Sequence, residues 1–103
     1  MASESIDFRG ALIREGNVTF AVVEVPASLL DAGQRAVQVE REKYAQVFKK
    51  VPIVLAARDA QRRARFLGRQ DIVRFLIQAG WGRIPWKRYR ARKKDKNPFK
   101  EWA

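Results

Sequence analysis

Runs of apolar residues alternate along the chain with polar segments that carry Gly, Pro or Asp, and this pattern predicts five strands and two helices. The strands are predicted over residues 6–14, 18–25, 52–57, 64–67 and 84–90, and the helices over residues 34–48 and 71–77. The strands show β-branched or alternating apolar positions, whereas the helices repeat apolar residues every three or four positions. We therefore expect a single small α+β domain with a mixed or antiparallel sheet, in the order β-β-α-β-β-α-β.

The second predicted strand, residues 18–25, is the strongest strand signal in the sequence. Its residues are almost all apolar and many are β-branched, which is typical of a strand that is covered on both faces and therefore central in its sheet. Gly16 and Asn17 precede it and suit a tight hairpin turn, because glycine accepts a positive φ. Pro26 ends the strand, and Pro85 indicates that the last strand lies at an edge, since proline cannot donate a ladder hydrogen bond.

The first helix has two candidate starting points. Ser28 and Asp31 have the spacing of a capping box, but Gly33 weakens a helix that begins there. The better helical pattern covers residues 34–48, where several apolar positions fall near one face. Residues 36–40 also alternate as a strand would, so a strand is the alternative for that short segment.

Composition narrows the chemistry, because the chain contains no cysteine and no histidine. The first absence excludes disulfides, thiolate nucleophiles and sulfur-bound metals, and the second removes the usual general base near neutral pH. No segment offers the roughly 20 apolar residues of a membrane span, and the charged N-terminus does not resemble a signal peptide. We expect a cytoplasmic protein that is not integral to a membrane, with residues 1–91 as the domain and residues 92–103 as a flexible basic tail.

The formal net charge of +11 is distributed unevenly along the chain. Residues 1–45 carry five basic and seven acidic side chains, a net charge of −2, whereas residues 46–103 carry a net charge of +13. This asymmetry indicates an anionic partner for the second part of the chain.

Basic and aromatic residues are interleaved between residues 81 and 102, and this is the best functional signal in the sequence. Cationic side chains attract phosphates, and aromatic rings can stack on single-stranded bases for about 1 to 3 kcal/mol per base. We therefore expect a nucleic-acid-binding accessory protein that contacts DNA or RNA and has no enzymatic activity. The residues predicted to bind are Arg62, Arg63, Arg65, Arg69, Trp86, Lys87, Arg88, Tyr89, Arg90, Arg92, Lys93, Lys94 and Lys96.

Four of these residues belong to a cluster of six arginines around the predicted turn between the third and fourth strands. The cluster comprises Arg58, Arg62, Arg63, Arg65, Arg69 and Arg74. A guanidinium group can donate two parallel hydrogen bonds to one phosphate, which suits recognition of a nucleic-acid backbone. The structural alternative is that Arg58 and Arg74 pair with neighbouring aspartates and cover apolar surface, while the tryptophans pack in the core.

The main functional alternative is a protein-binding module that docks an acidic partner or forms a homodimer through an edge strand. Binding to a membrane surface is weaker, because the basic segment has no clear helical period. A small metal-dependent nuclease is weaker too, because the spacing of Glu24, Asp59 and Asp71 does not support a magnesium site. No cofactor is expected, since the glycines do not form a phosphate loop.

Overall fold

The computed structural model describes residues 5–92, which form a five-stranded sheet with helices on both faces. The strands are β1 (Ser5–Glu15), β2 (Val18–Glu24), β3 (Ile53–Arg58), β4 (Ala64–Leu67) and β5 (Lys87–Arg92). The helices are α1 (Ala27–Leu30), α2 (Gln34–Tyr44) and α3 (Gln70–Ala79), and a 3₁₀ turn follows at Trp81–Arg83. Among these residues, no helix has the length and apolar character that crossing a membrane requires.

The strand order is β4-β3-β2-β1-β5, with β2 and β3 parallel and the other three pairs antiparallel. Parallel strands cannot be joined by a tight turn, so the chain passes through α1 and α2 before it returns to the sheet as β3. The connection from β4 to β5 joins the two edges of the sheet and carries α3 over the opposite face. The carboxyl ends of β2 and β3 therefore lie side by side at one end of the sheet.

Each face of the sheet has its own hydrophobic core. The core on the face covered by α1 and α2, here the α2 face, consists of Phe8, Ala21, Val23, Val25, Val37, Tyr44, Phe48, Ile53, Leu55 and Ala57. The core on the opposite face, here the α3 face, consists of Ala11, Phe20, Val22, Val54, Ala56, Ile72, Leu76 and Ile84. Successive side chains of β2 alternate between the two cores, so β2 is covered on both sides, as its unbroken apolar run predicts.

The predicted α+β fold with a mixed sheet is confirmed, together with the order of its strands and longer helices. A short helix, α1, forms near the first candidate start, but Ser28 lies inside it. Its N-cap is Pro26 and no side chain caps it, so the predicted capping box does not form. Helix α2 ends at Tyr44 rather than at residue 48, because the chain then turns and places Phe48 in the core of the α2 face. The last strand begins at Lys87 rather than at residue 84, because Ile84 is first buried against the α3 face.

The predicted division between domain and tail stays a prediction. Strand β5 includes Arg92, the first residue assigned to the tail. Residues 93–103 lie outside the described residues.

Replacing Val22 by aspartate should unfold the protein, because this side chain is 0% exposed and a carboxylate buried there costs several kcal/mol. The matched control is Leu12→Asp, which adds the same charge on the adjacent strand at a side chain that is 52% exposed. We expect the control to keep a cooperative thermal transition by circular dichroism. A folded Val22→Asp variant would contradict the central position of β2.

Candidate nucleic-acid interface

A cleft of about 600 Å³ lies at the end of the sheet where β2 and β3 finish. Ligands in open α/β sheets commonly bind beyond the carboxyl ends of strands, because these ends lie between the connections to the two faces. The cleft is lined by Asp7, Phe8, Arg9, Glu24, Val25, Pro26, Ala27, Arg58 and Arg88. We call its charged lining, Arg9, Arg58 and Arg88 with Asp7 and Glu24, the arginine cleft.

The register of the strands places two of these arginines next to each other. Arg9 of β1 lies directly opposite Arg88 of β5 in an antiparallel pair. Like charges at such positions repel and destabilise the pair of strands. Glu24 of β2 offsets part of this repulsion, since its carboxylate lies 3.3 Å from a guanidinium nitrogen of Arg9.

The next charged pair along the same two strands is neutralised. Asp7 lies directly opposite Arg90, and the Nε of Arg90 donates a hydrogen bond of 3.0 Å to the Asp7 carboxylate. Arg58 and Arg88 differ in this respect, because neither forms an ion pair within residues 5–92. The cleft therefore has an excess of positive charge.

Two tryptophans hold arginines of the cleft in position. The guanidinium carbon of Arg58 lies 4.8 Å from the centre of the Trp81 ring, and that of Arg9 lies 5.4 Å from the Trp86 ring. Cation–π contacts of this kind fix a guanidinium over the ring face and leave the N–H groups at its rim able to bind an anion.

The two indoles also support each other. Their ring centres are 4.7 Å apart, and the Nε1 of Trp86 donates a hydrogen bond of 3.2 Å to the carbonyl oxygen of Trp81. Both side chains are half-buried and pack against the core of the α3 face. The tryptophans thus connect the arginine cleft to the rigid part of the domain.

Arg62 and Arg63, two of the predicted binding residues, are exposed in the turn between β3 and β4. Arg62 adopts a left-handed backbone conformation with a φ of 66°. The carboxylate of Asp59 organises this turn, because it accepts hydrogen bonds of 2.9 Å from the backbone N–H groups of Gln61 and Arg63. The structure does not bring these two arginines into the arginine cleft.

Two further predicted residues, Arg65 and Arg69, have carboxylate partners of their own. Arg65 donates two hydrogen bonds, of 3.1 and 3.0 Å, to Asp31 and so joins β4 to the end of α1. Arg69 donates two hydrogen bonds of 2.8 Å to Asp71 in the first turn of α3. Both arginines are paired with carboxylates and lie outside the arginine cleft.

The pKa values of the two aspartates reflect these contacts. The hydrogen bonds from Arg65, and then its charge, hold the pKa of Asp31 below its usual value. The hydrogen bonds from Arg69 are the main cause that lowers the pKa of Asp71 to about 2. Both carboxylates therefore bind their arginines in the ionised form.

Of the predicted residues on and before β5, Arg88 lines the cleft and Arg90 lies beside it, whereas Tyr89 points to the other face. The Tyr89 ring is stacked on Phe8 at 5.5 Å and meets Phe48 edge-on at 5.0 Å, and it is half-buried. This follows from the alternation of side chains along a strand. Lys87 is exposed at the start of β5, and Arg92 ends this strand. Lys93, Lys94 and Lys96 lie outside the described residues.

The carboxylates considered for a magnesium site occupy three separate places. Glu24 is bound by Arg9, Asp59 by the β3–β4 turn and Asp71 by Arg69. Within residues 5–92, no three acidic side chains lie close enough together to hold a metal ion.

Arg9 and Arg58 belong to the cleft but are not among the residues predicted to bind. Arg9 is a charged residue within a predicted strand, and Arg58 was expected to pair with a neighbouring aspartate in the structural alternative. Arg58 instead contacts Trp81, and the carboxylate of Asp59 is bound by backbone N–H groups of the β3–β4 turn. The periodicity of β1 offers a signal for Arg9, since residues 7, 9, 11 and 13 share one face.

No protein-family model, curated protein or solved structure matches this chain. The fold and the site together define a small α+β domain with an arginine-lined cleft at the end of its sheet.

Acidification should remove the stability that Asp31 contributes. Because its folded-state pKa is below the value of about 3.9 in an unfolded chain, the contribution is present above that pH and disappears as the pH falls through the folded-state value. We expect Asp31→Asn to lower Tm at pH 6 and to have a progressively smaller effect below pH 4. Glu15→Gln, at an exposed carboxylate of the β1–β2 turn, is the control. An Asp31→Asn effect that stays constant between pH 6 and pH 2.5 would contradict the ion pair.

Proposed function

We propose that this protein binds nucleic acid through the arginine cleft and the basic strand β5, and that it does so without enzymatic activity. The observation that carries the proposal is the convergence of three arginines from β1, β3 and β5 in a single cleft. The strand register makes two of them neighbours despite their repulsion, and a bound phosphate would relieve that repulsion.

Arg58 and Arg88 support an anionic ligand most directly. Neither forms an ion pair within residues 5–92, and both line the cleft. A guanidinium retains its charge at all physiological pH values and presents N–H groups in a fork that matches phosphate oxygens. Phosphate contacts of this kind supply most of the affinity of proteins that bind nucleic acid without sequence preference.

In this proposal the tryptophans position the arginines and do not stack on bases. Trp81 and Trp86 pack on the core and carry guanidinium groups on their faces, so their rings are engaged within the protein. Tyr89 is engaged in the same way by Phe8 and Phe48. The expected contribution of these rings is therefore to preorganise Arg9 and Arg58, which reduces the entropy lost when phosphate binds.

Further basic residues stand next to those of the cleft in the sequence. Lys87 and Arg88 begin β5, and the sequence continues to Lys93, Lys94 and Lys96. Charges of this kind add affinity that falls with salt and does not depend on base sequence. The cleft gives the position of the contact, and the basic residues after it add attraction at longer range.

The alternative is that the cleft binds an acidic protein partner, and a competition experiment distinguishes this from binding of nucleic acid. A carboxylate can occupy a guanidinium fork as a phosphate does, so polyglutamate is the appropriate competitor. Displacement of nucleic acid by phosphate-bearing polymers, but not by polyglutamate at equal charge concentration, is the result that favours nucleic acid.

Arg58→Ala and Arg88→Ala should each weaken nucleic-acid binding by about tenfold, since hydrogen bonds to charged groups contribute about 1.5 to 3 kcal/mol. The measurement is fluorescence anisotropy of labelled single-stranded DNA, duplex DNA and hairpin RNA at several salt concentrations. Each variant should also reduce the salt dependence of log K by about one contact.

The matched controls are Arg14→Ala and Arg35→Ala, which remove the same charge from exposed positions on β1 and α2 outside the cleft. If all four variants weaken binding equally, net charge rather than the cleft is responsible. If the wild-type protein binds no nucleic acid at low salt, the proposed function is wrong.

A further inference from the structure

The charge balance of the arginine cleft and of the strand pair beside it favours a particular kind of phosphate. Arg9 is offset by Glu24, and Arg90 is offset by Asp7. Arg58 and Arg88 form no ion pair within residues 5–92. The cleft and the adjacent strand pair together therefore carry two positive charges that no carboxylate compensates. An internal phosphodiester carries one negative charge, whereas a phosphomonoester carries about −1.5 to −2 at pH 7.

The arrangement of the cleft points in the same direction. Its positive groups come from three strands, with Arg58 on β3, Arg9 on β1 and Arg88 on β5. One wall is the chain segment that leaves β2, formed by Val25, Pro26 and Ala27. The three arginines therefore line one site rather than a track along which a strand would run.

The planar guanidinium groups are also suited to a phosphate with three free oxygens. A phosphomonoester presents three strong acceptors, whereas an internal phosphodiester presents two that are not esterified. Arg58 is held against Trp81, and Arg9 is held between Trp86 and Glu24. Arg88 lies directly opposite Arg9 and lines the same cleft as Arg58, which places three arginines at one candidate phosphate site.

From these observations we infer that the arginine cleft binds a terminal phosphomonoester, the phosphorylated end of a nucleic-acid strand. This inference rests on the proposed function, because it assigns the class of phosphate that the same site takes. We assign the phosphomonoester to the end of a nucleic-acid strand. A free mononucleotide carries the same phosphate, so its binding shows whether the strand is needed.

The experiment compares single-stranded DNA 12-mers of one sequence that carry a 5′-phosphate, a 3′-phosphate or hydroxyl groups at both ends. At moderate salt, we expect one of the two phosphorylated 12-mers to bind about tenfold more tightly than the hydroxyl form, as an extra charge-assisted set of hydrogen bonds requires. A nucleoside monophosphate should bind at least tenfold more weakly than the phosphorylated 12-mer and should not displace it at equal concentration.

Variants locate the preference in the cleft. Arg58→Ala and Arg88→Ala should reduce the preference for the phosphorylated end to less than twofold, and Arg88→Lys should reduce it partly, because it keeps the charge but loses the fork. Arg14→Ala, outside the cleft, should keep the full preference. Thermal unfolding of each variant establishes that it is folded, and Arg88→Lys keeps the test informative if an alanine variant is unstable.

The outcomes separate this inference from the proposed function. Equal binding of all three 12-mers contradicts end recognition and leaves nucleic-acid binding intact. Binding of the mononucleotide as tight as that of the phosphorylated 12-mer contradicts a strand end as the source, and absence of binding to any 12-mer contradicts both. A preference that survives in Arg58→Ala and Arg88→Ala also overturns the inference, because the phosphate is then bound elsewhere.

Discussion

The parallel pairing of β2 with β3 is the constraint on which the rest of the structure depends. Because parallel neighbours need a long connection, the chain must pass through α1 and α2, and these helices cover one face of the sheet. The two strands then end side by side, and the chain leaves both of them in the same direction. The α3 connection covers the other face, and the arginine cleft lies at the end of the sheet where β2 and β3 finish.

The cleft itself is a compromise between stability and binding. Placing Arg88 directly opposite Arg9 is unfavourable for the strand pair, and Glu24 compensates only one of the two arginines. Stacking on Trp81 and Trp86 limits the freedom of Arg58 and Arg9, which keeps the positive groups close together in the absence of a ligand. Repulsive charges held in place by packing are more typical of binding sites than of surfaces that serve stability.

The periodicity of the sequence was sufficient for the order of elements, because each apolar run has the length and spacing of one strand or helix. The limits of β4 follow directly from the pattern at residues 64–67. The hairpin predicted at Gly16 and Asn17 does join β1 to β2. The pairings of β2 with β3 and of β1 with β5 were not predictable in the same way, since they depend on the packing of α2 and α3 and not on local preference. The early end of α2 at Tyr44 has the same origin, because the tertiary position of Phe48 overrides helical spacing.

The candidate site was predictable only in part. The basic residues around β5 stand out by composition, but charge alone does not separate Arg88 in the cleft from Arg65 and Arg69, which bind aspartates. Tertiary structure brings Arg65 to its partner Asp31, which lies 34 residues away in the sequence. The face of Arg9 follows from the periodicity of β1, but its position opposite Arg88 depends on the register between β1 and β5, which lie far apart in the sequence and are not joined by a turn.

The central claim is that phosphate is bound where Arg9, Arg58 and Arg88 meet, and NMR of side-chain N–H groups tests it most directly. During titration with single-stranded DNA, the arginine Nε–H signals of the cleft and the indole N–H signal of Trp86 should shift together with one dissociation constant. The signal of Arg14, at the far end of β1, should not shift. Shifts confined to residues after Arg92, with the cleft signals unchanged, would contradict the account and assign binding to the basic C-terminal segment alone.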